Sequence, residues 1–399
     1  MDLTSPHPFW PLKNGLLSVY PSLKEDIRCE VAVIGAGITG SLVADHLVRA
    51  GMDVVMLDKR EVAMGSTSAS TSLLQYEIDT PLVDLKNMIG EADAEAAYRV
   101  CLGAIGKVEQ LVDSLGGDCG FQRKKSVYLA SAARDVEPLR AEFFARRRAG
   151  IEVDLLSKNE VSSLFSFSRP AALLSHQAAE VDCFRLTHRL LERVQAQGGR
   201  VFDRTPVMQH ESGEDGVLLT TPRGRVQART VVFATGYESV VDLPDKIVNL
   251  KSSFALASEP LESFDGWYER CLLWETARPY FYMRTTSDGR ALIGGEDDPF
   301  QNAGRRDALV PAKTARLAEK FREMFPRIDL EIAYTWAGTF GETEDGLAYI
   351  GHLRQLPNCF FTLGFGGNGI TYSIIAAEII RDALLQRPNA NSRLFRFDR

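Results

Sequence analysis

Between residues 30 and 58 the hydrophobic period of the chain changes three times. Val31, Val33 and Ile34 form a short β-branched run, Gly35-Ala36-Gly37-Ile38-Thr39-Gly40 interrupts it, and Leu42, Val43, Leu47 and Ala50 recur at helical spacing. A second apolar run, Val54-Val55-Met56-Leu57, ends in Asp58-Lys59-Arg60. The pattern predicts strand, tight glycine turn, helix, strand.

Further along, the spacing predicts helices over 91–115, 135–149 and 184–197, the last closed by Gly198-Gly199. Strands are predicted over 126–130 and 200–203, a strand and turn over 171–182, and a hairpin from 216–221 and 225–228 through Pro222-Arg223-Gly224. An apolar strand over 230–234 then ends in Ala234-Thr235-Gly236. From 248 the character changes to alternating strands at 251–258, 280–284 and 290–294, with a helix over 312–325. A strand over 359–363, the turn Gly364-Phe365-Gly366-Gly367-Asn368-Gly369-Ile370 and a helix to about 385 return to the opening pattern. Residues 1–28 read as an irregular arm, pinned by Phe9, Trp10 and Tyr20, whose prolines break any helix.

These elements predict an α/β chain of two domains: a Rossmann-like nucleotide-binding domain with an inserted, mainly antiparallel domain. The arm takes 1–28, the nucleotide domain 29–90, 151–247 and 340–399, and the insertion 91–150 and 248–339. The length of 399 residues suits two domains. A net charge of −7 argues against a nucleic-acid surface. No apolar run reaches the roughly 18 residues of a membrane span, and the start of the chain lacks a signal-peptide layout, so the cytoplasm is the expected compartment. The cysteines and histidines, six of each, show no ligand spacing, and no metal is expected.

The glycine turn carries specific chemistry. Gly35 permits the turn, Gly37 admits a pyrophosphate where a Cβ would clash, and Gly40 lets helix pack on strand. The helix N-terminus offers free N–H groups to phosphate, and Asp58 lies at the distance in sequence expected of a ribose ligand. The run of small hydroxyl residues over 65–72, with Ser66, Ser70 and Thr71, predicts a loop whose amides and hydroxyls hold further cofactor oxygens.

The fingerprint, the Ser/Thr turn, the Ala234-Thr235-Gly236 strand end and the late glycine turn together resemble the D-amino-acid oxidase superfamily of FAD-dependent oxidoreductases, which includes sarcosine, glycine and glutamylputrescine oxidases. So do WAGTFGETEDGLAYIG over 336–351, LGFGGNGITYS over 363–373 and DGRALIGG over 288–295. The resemblance implies FAD, with its adenine end at Gly35 to Gly40, Asp58, Lys59, Arg60 and Val207, and its flavin near Ser66 to Leu74 and Gly366, Gly367, Asn368, Gly369 and Ile370. No cysteine lies in 338–345, where some relatives attach flavin, so non-covalent FAD is expected. The implied reaction moves hydride from a carbon bearing an amine to the flavin and leaves an imine that water hydrolyses.

Two arginine positions by which such enzymes grip an amino-acid carboxylate fall here at Phe340 and Gln75; Arg278 and Arg284 are the remaining candidates. Glu275, Tyr280, Tyr282 and Phe340 are expected to form an aromatic, acidic pocket for a cationic amine, against the alternative that these rings fill the core. Leu292 falls where some oxidases of the family set a lysine above the flavin, which leaves oxygen or another electron acceptor open. A pyridine-nucleotide dehydrogenase and a flavoprotein dehydrogenase subunit or redox sensor are the alternatives.

Overall fold

The computed structural model describes residues 1–117, 119–238 and 247–399. The nucleotide sheet is built around Ile27–Ile34, which pairs in parallel with Val54–Leu57 on one side and Gly224–Phe233 on the other. Arg200–Phe202 and Cys359–Leu363 extend it in parallel, and Tyr349–His352 closes one edge antiparallel. Residues 31–34 and 54–57 are buried on both faces, which is why their sequence is continuously apolar rather than alternating. The strands predicted over 225–228 and 230–234 are one strand: its first half pairs with Gly216–Thr221, its second with the parallel neighbours.

Helices Ile38–Arg49, Cys183–Ala196 and Gly369–Leu384 cover this sheet. Arg193 grips buried Asp45 with two bonds of 2.6 and 2.7 Å, and the hydroxyls of Thr39 and Ser373 meet at 2.7 Å, tying the start of the first helix to the last.

The second sheet runs Ile332–Glu342, Asn249–Ser258, Ala291–Asp298, Phe281–Thr285, Leu272–Glu275, Gln122–Leu129, Ala171–Glu180 and Leu73–Leu74, with Val153–Ser157 paired to Ala171–Glu180. It is antiparallel except between Leu272–Glu275 and Gln122–Leu129. The expected division of the chain therefore shifts. Residues 153–180 belong to the second sheet, and Ile332–Glu342 runs across the boundary drawn at 340. Helix Glu91–Ser114 packs on Gly369–Leu384, with Lys107 paired to Glu378 at 2.5 Å. Part of the expected nucleotide segment, residues 239–246, lies outside the described residues.

Helix Ala303–Met324 starts earlier than predicted because Asn302 caps it, accepting from the Arg305 amide at 2.8 Å. The amino-terminal segment contains a helix, Phe9–Asn14, despite its prolines: Pro8 precedes it and Pro11 stands in its first turn, where a missing N–H costs nothing. Phe9 packs on Tyr334 and Trp336, and the Trp10 indole donates to the Ser70 carbonyl at 2.6 Å. Ahead of it, the Ser5 amide donates to Ala337 and the Thr339 amide to Leu3, covering the open edge of Ile332–Glu342.

Buried His188 stands beside Phe184, and neither ring nitrogen has a hydrogen-bond partner. Burial lowers its pKa to about 4. The unfolded chain takes up a proton near pH 6.5 that the folded chain refuses until about 4, so stability falls as pH drops across that window. A His188→Leu protein is expected to lose less Tm than the wild type between pH 7 and 4.5, by about 2 °C or more. Equal losses in the two melting curves would refute this.

Candidate active site

A single cavity of about 590 Å³ runs from the glycine turn to the second sheet. At one end stand Gly35, Gly37, Ile38 and Thr39, and a Cβ on Gly37 would meet nothing nearer than the Thr67 hydroxyl at 3.0 Å. Gly40 does not line the cavity; its Cα faces the Gly35 carbonyl so closely that a Cβ would come within 1.8 Å of it. Ala36 is also out of the wall, but its amide donates to Asp58 at 2.7 Å. Asp58 does line it, as do Val207, Ala234, Thr235 and Gly236. Burial raises the Asp58 pKa, partly offset by the Ala36 and Arg60 amides that it accepts.

Lys59 and Arg60 line this end too, but both pair with Glu238, at 2.7 and 3.0 Å. These contacts hold the Glu238 carboxyl down to about 2. The residue comes from the far side of the chain and carries no local signal.

The middle of the wall is Ser66, Thr67, Ser70 and Thr71. The Ser66 hydroxyl is buried with no partner in the protein, a donor left for a bound group. Leu74, expected here, is instead fully buried in the core, because its short strand pairs with Ala171–Glu180. Facing this loop, Gly366, Gly367, Asn368, Gly369 and Ile370 bring the N-terminus of Gly369–Leu384 into the wall. Asn368 donates to the Gln75 and Glu77 carbonyls at 3.2 and 2.9 Å, fixing that turn on segment 75–79. Two helix N-termini and an orphaned hydroxyl along one elongated cavity fit a dinucleotide. Cys183 also lines the cavity, and burial pushes its thiol up to about 12.

The far half is aromatic and acidic. Gln75, Trp274, Tyr280, Tyr282 and Phe340 line it, together with Glu77, Asp79, Asp297 and Glu342. Trp274 stacks on Tyr128 at 3.7 Å, and the Trp274 indole and the Gln75 amide both donate to the Ser126 hydroxyl, at 3.1 and 3.0 Å. Tyr280 and Tyr282 share one face of their strand, as their alternation predicted. Burial raises Asp79 and Asp297 to about 6 each, and Glu342 adds to both shifts. Among the lining residues Lys59, Arg60 and His210 are the basic side chains, and all three stand at the Asp58 end.

Several expected residues stand elsewhere. Glu275 follows Trp274 on the same strand and so points to the opposite face, where it is buried against Lys320. Arg278 is exposed, its guanidinium stacked on the Tyr280 ring at 3.3 Å, and it is not part of the wall. Arg284 is buried deeper, donating to the Val181 carbonyl at 3.0 Å beside Glu180. Leu292 lies in the hydrophobic core rather than at the cavity. Asp79, Asp297 and Glu342 were missed. For Asp297 the Gly294-Gly295 pair at the end of the strand predicted over 290–294 was the available signal, since glycines there mark a bulge.

A profile of the FAD dependent oxidoreductase family (DAO) matches residues 30–383. The chain belongs to that family. The gamma-glutamylputrescine oxidoreductase of Escherichia coli (strain K12) is 26% identical over 385 residues, covering 92% of this chain and 85% of that one. The glycine oxidase of Geobacillus kaustophilus (strain HTA426) is 24% identical over 380 residues, covering 91% and 94%. The crystal structure of glycine oxidase from Geobacillus kaustophilus superposes with a TM-score of 0.76 at 21% identity, covering 91% of this chain and 96% of that one. The family is FAD-dependent, and the elongated cavity, with two helix N-termini and the orphaned Ser66 hydroxyl in its wall, fits such a group. Among the described residues no helix is long and apolar enough to cross a membrane, and no cluster of acidic, histidine or cysteine side chains could hold a metal.

Proposed function

We propose that this FAD-dependent oxidoreductase oxidises the C–N bond of a small cationic amine rather than of a simple amino acid. The observation that carries this reading is the charge of the far half: four carboxylates, Glu77, Asp79, Asp297 and Glu342, and no basic side chain in the wall. A zwitterionic amino acid would bring its own carboxylate among Asp79, Asp297 and Glu342 with no guanidinium fork to receive it. An ammonium meets carboxylates and the faces of Trp274, Tyr280, Tyr282 and Phe340, which attract cations.

Bound FAD supplies the two-electron acceptor for hydride leaving the carbon next to nitrogen, and the imine so formed hydrolyses in water. The protein orients that C–H bond. The Ser126 hydroxyl fixes Gln75 and the Trp274 ring, and Tyr128 supports the ring from behind. The aromatic walls also exclude water, which strengthens the pull of the carboxylates on a cation.

Anaerobic mixing with a panel of compounds tests the reading through bleaching of the flavin absorbance. Diamines and N-alkyl amines are expected to bleach it at least tenfold faster than glycine, sarcosine or D-alanine. Amino acids that bleach it as fast as the amines would overturn the proposal. Peroxide measured beside reduction of a dye then assigns oxygen or another acceptor.

A further inference from the structure

Asp297 reaches the cavity through a break in the pattern of its strand. Along Ala291–Asp298, Ala291 and Ile293 face the core beneath Ala303–Met324, while Leu292 and Gly294 face the other way. Regular alternation would send 296 and 298 into the cavity and 297 away from it. Instead the register slips by one residue between the pairs Phe254↔Gly295 and Ser252↔Asp298. Gly295 takes φ +133°, where a Cβ would stand 1.9 Å from the Tyr280 carbonyl, and that carbonyl accepts from the Glu296 amide at 3.0 Å. The bulge inverts the phase. Glu296 and Asp298 turn outward to Arg316 and Lys313 at 2.7 and 3.0 Å, and Asp297 turns inward.

The four carboxylates there are not equivalent, and Glu77 is neutralised by the buried Arg146 at 3.4 Å and accepts the Ser175 hydroxyl at 2.6 Å. Asp79 accepts the Gly367 amide at 2.8 Å and so supports the turn ahead of the last helix. Glu342 is bound to Lys251. Asp297 touches the Ser253 hydroxyl, but its Oδ1 is buried without a hydrogen-bond partner. Such an atom is costly unless something else fills its place.

We propose that Asp297 is a catalytic residue: its free oxygen receives the substrate ammonium and takes the proton that must leave before the C–N bond is oxidised. This rests on the reading of the cavity as an amine site. An ammonium has no lone pair with which to form C=N as hydride departs. In the proposed step one N–H bond breaks, one O–H bond forms on Asp297, and no electrons change hands, leaving neutral amine beside a carboxylic acid. The groups facing Asp297 are Ser253 and Lys251 from one neighbouring strand, Tyr282 from the other, Glu342 from Ile332–Glu342 and Asp79 from the segment after Leu74. The acids among them favour its protonated form, while Lys251 and Ser253 oppose it.

Three proteins test this: wild type, Asp297→Asn and Asp297→Glu, each isolated with FAD. With an amine that bleaches the wild type, kcat/KM is expected to rise with pH through about 6 and then level. In Asp297→Asn it should be about 100-fold lower at pH 7.5 and climb tenfold per pH unit as free amine accumulates, while Asp297→Glu recovers part of the loss. A second readout needs no turnover. Calorimetric affinity for tert-butylammonium, which has no hydrogen on the carbon next to nitrogen, should be at least tenfold higher at pH 7.5 than at pH 5 in the wild type, and the ratio should shrink several-fold in Asp297→Asn, where Asp79 still changes charge in that range. A wild-type pH profile surviving in Asp297→Asn, or wild-type affinity that ignores pH, would overturn the role of Asp297 while leaving the amine reading intact. If no cationic amine bleaches the wild type, the amine reading itself falls, and the proposed step with it.

Discussion

A Gly40→Ala protein is expected to purify colourless, with its Tm well below that of the wild type. The added Cβ would stand 1.8 Å from the Gly35 carbonyl and 3.4 Å from Val33, all in the innermost strand and its turn. Backbone at that distance has no rotamer to yield, so helix Ile38–Arg49 must lift from the strand, and its N-terminal amides move with it away from where phosphate would sit. The Thr39–Ser373 bond would then strain or break, loosening the last helix as well. Gly103→Ala is the control: it lies within helix Glu91–Ser114, a Cβ there meets nothing within 4 Å, and alanine should be neutral or stabilising by up to about 1 kcal/mol. Flavin absorbance per chain and thermal melting report both. A yellow Gly40→Ala protein with wild-type flavin content would show that the close approach is not required.

The second large effect is expected behind the cavity. Arg146 is 1% exposed and bonds Glu142 at 2.7 Å, Tyr76 at 3.3 Å and Glu77 at 3.4 Å, lying between the rings of Tyr76 and Tyr98. Glu142 in turn accepts the amides of Leu82 and Val83, capping helix Leu82–Ile89, and the Glu77 and Gln75 carbonyls hold Asn368. Arg146→Met keeps the volume but leaves two buried carboxylates without their cation, a loss of about 3–5 kcal/mol in denaturant unfolding. Adding Glu77→Gln should restore part of it by removing one orphaned charge. A loss under about 1 kcal/mol would mean that the pair is solvated after all.

What could be read from the residues and what could not divide along a physical line. The glycine turn, the Ser/Thr loop and the Gly366 to Ile370 turn were legible because backbone and small side chains form the cavity wall there, and glycine or a small hydroxyl residue is what leaves that wall open. The cavity walls were legible only where alternation held. Tyr280 and Tyr282 lie on one face as their spacing implied, but Glu275 fell on the wrong side because its neighbour Trp274 already occupied the inner face. Asp297 was hidden by a bulge that reverses the period, and Glu238 by a distance in sequence that no local pattern spans. The division into domains slipped at 153–180 for a related reason: whether a strand joins one sheet or the other is decided by partners far along the chain.

The strand Gly224–Phe233 has Ile27–Ile34 on one side and Cys359–Leu363 on the other, and the latter is made roughly 300 residues after the former. During synthesis the opening strand, turn and helix therefore emerge long before the segments that flank and cover them. The dinucleotide sheet closes only after the intervening sheet has been translated, so a nascent chain exposes an apolar strand edge for most of its production.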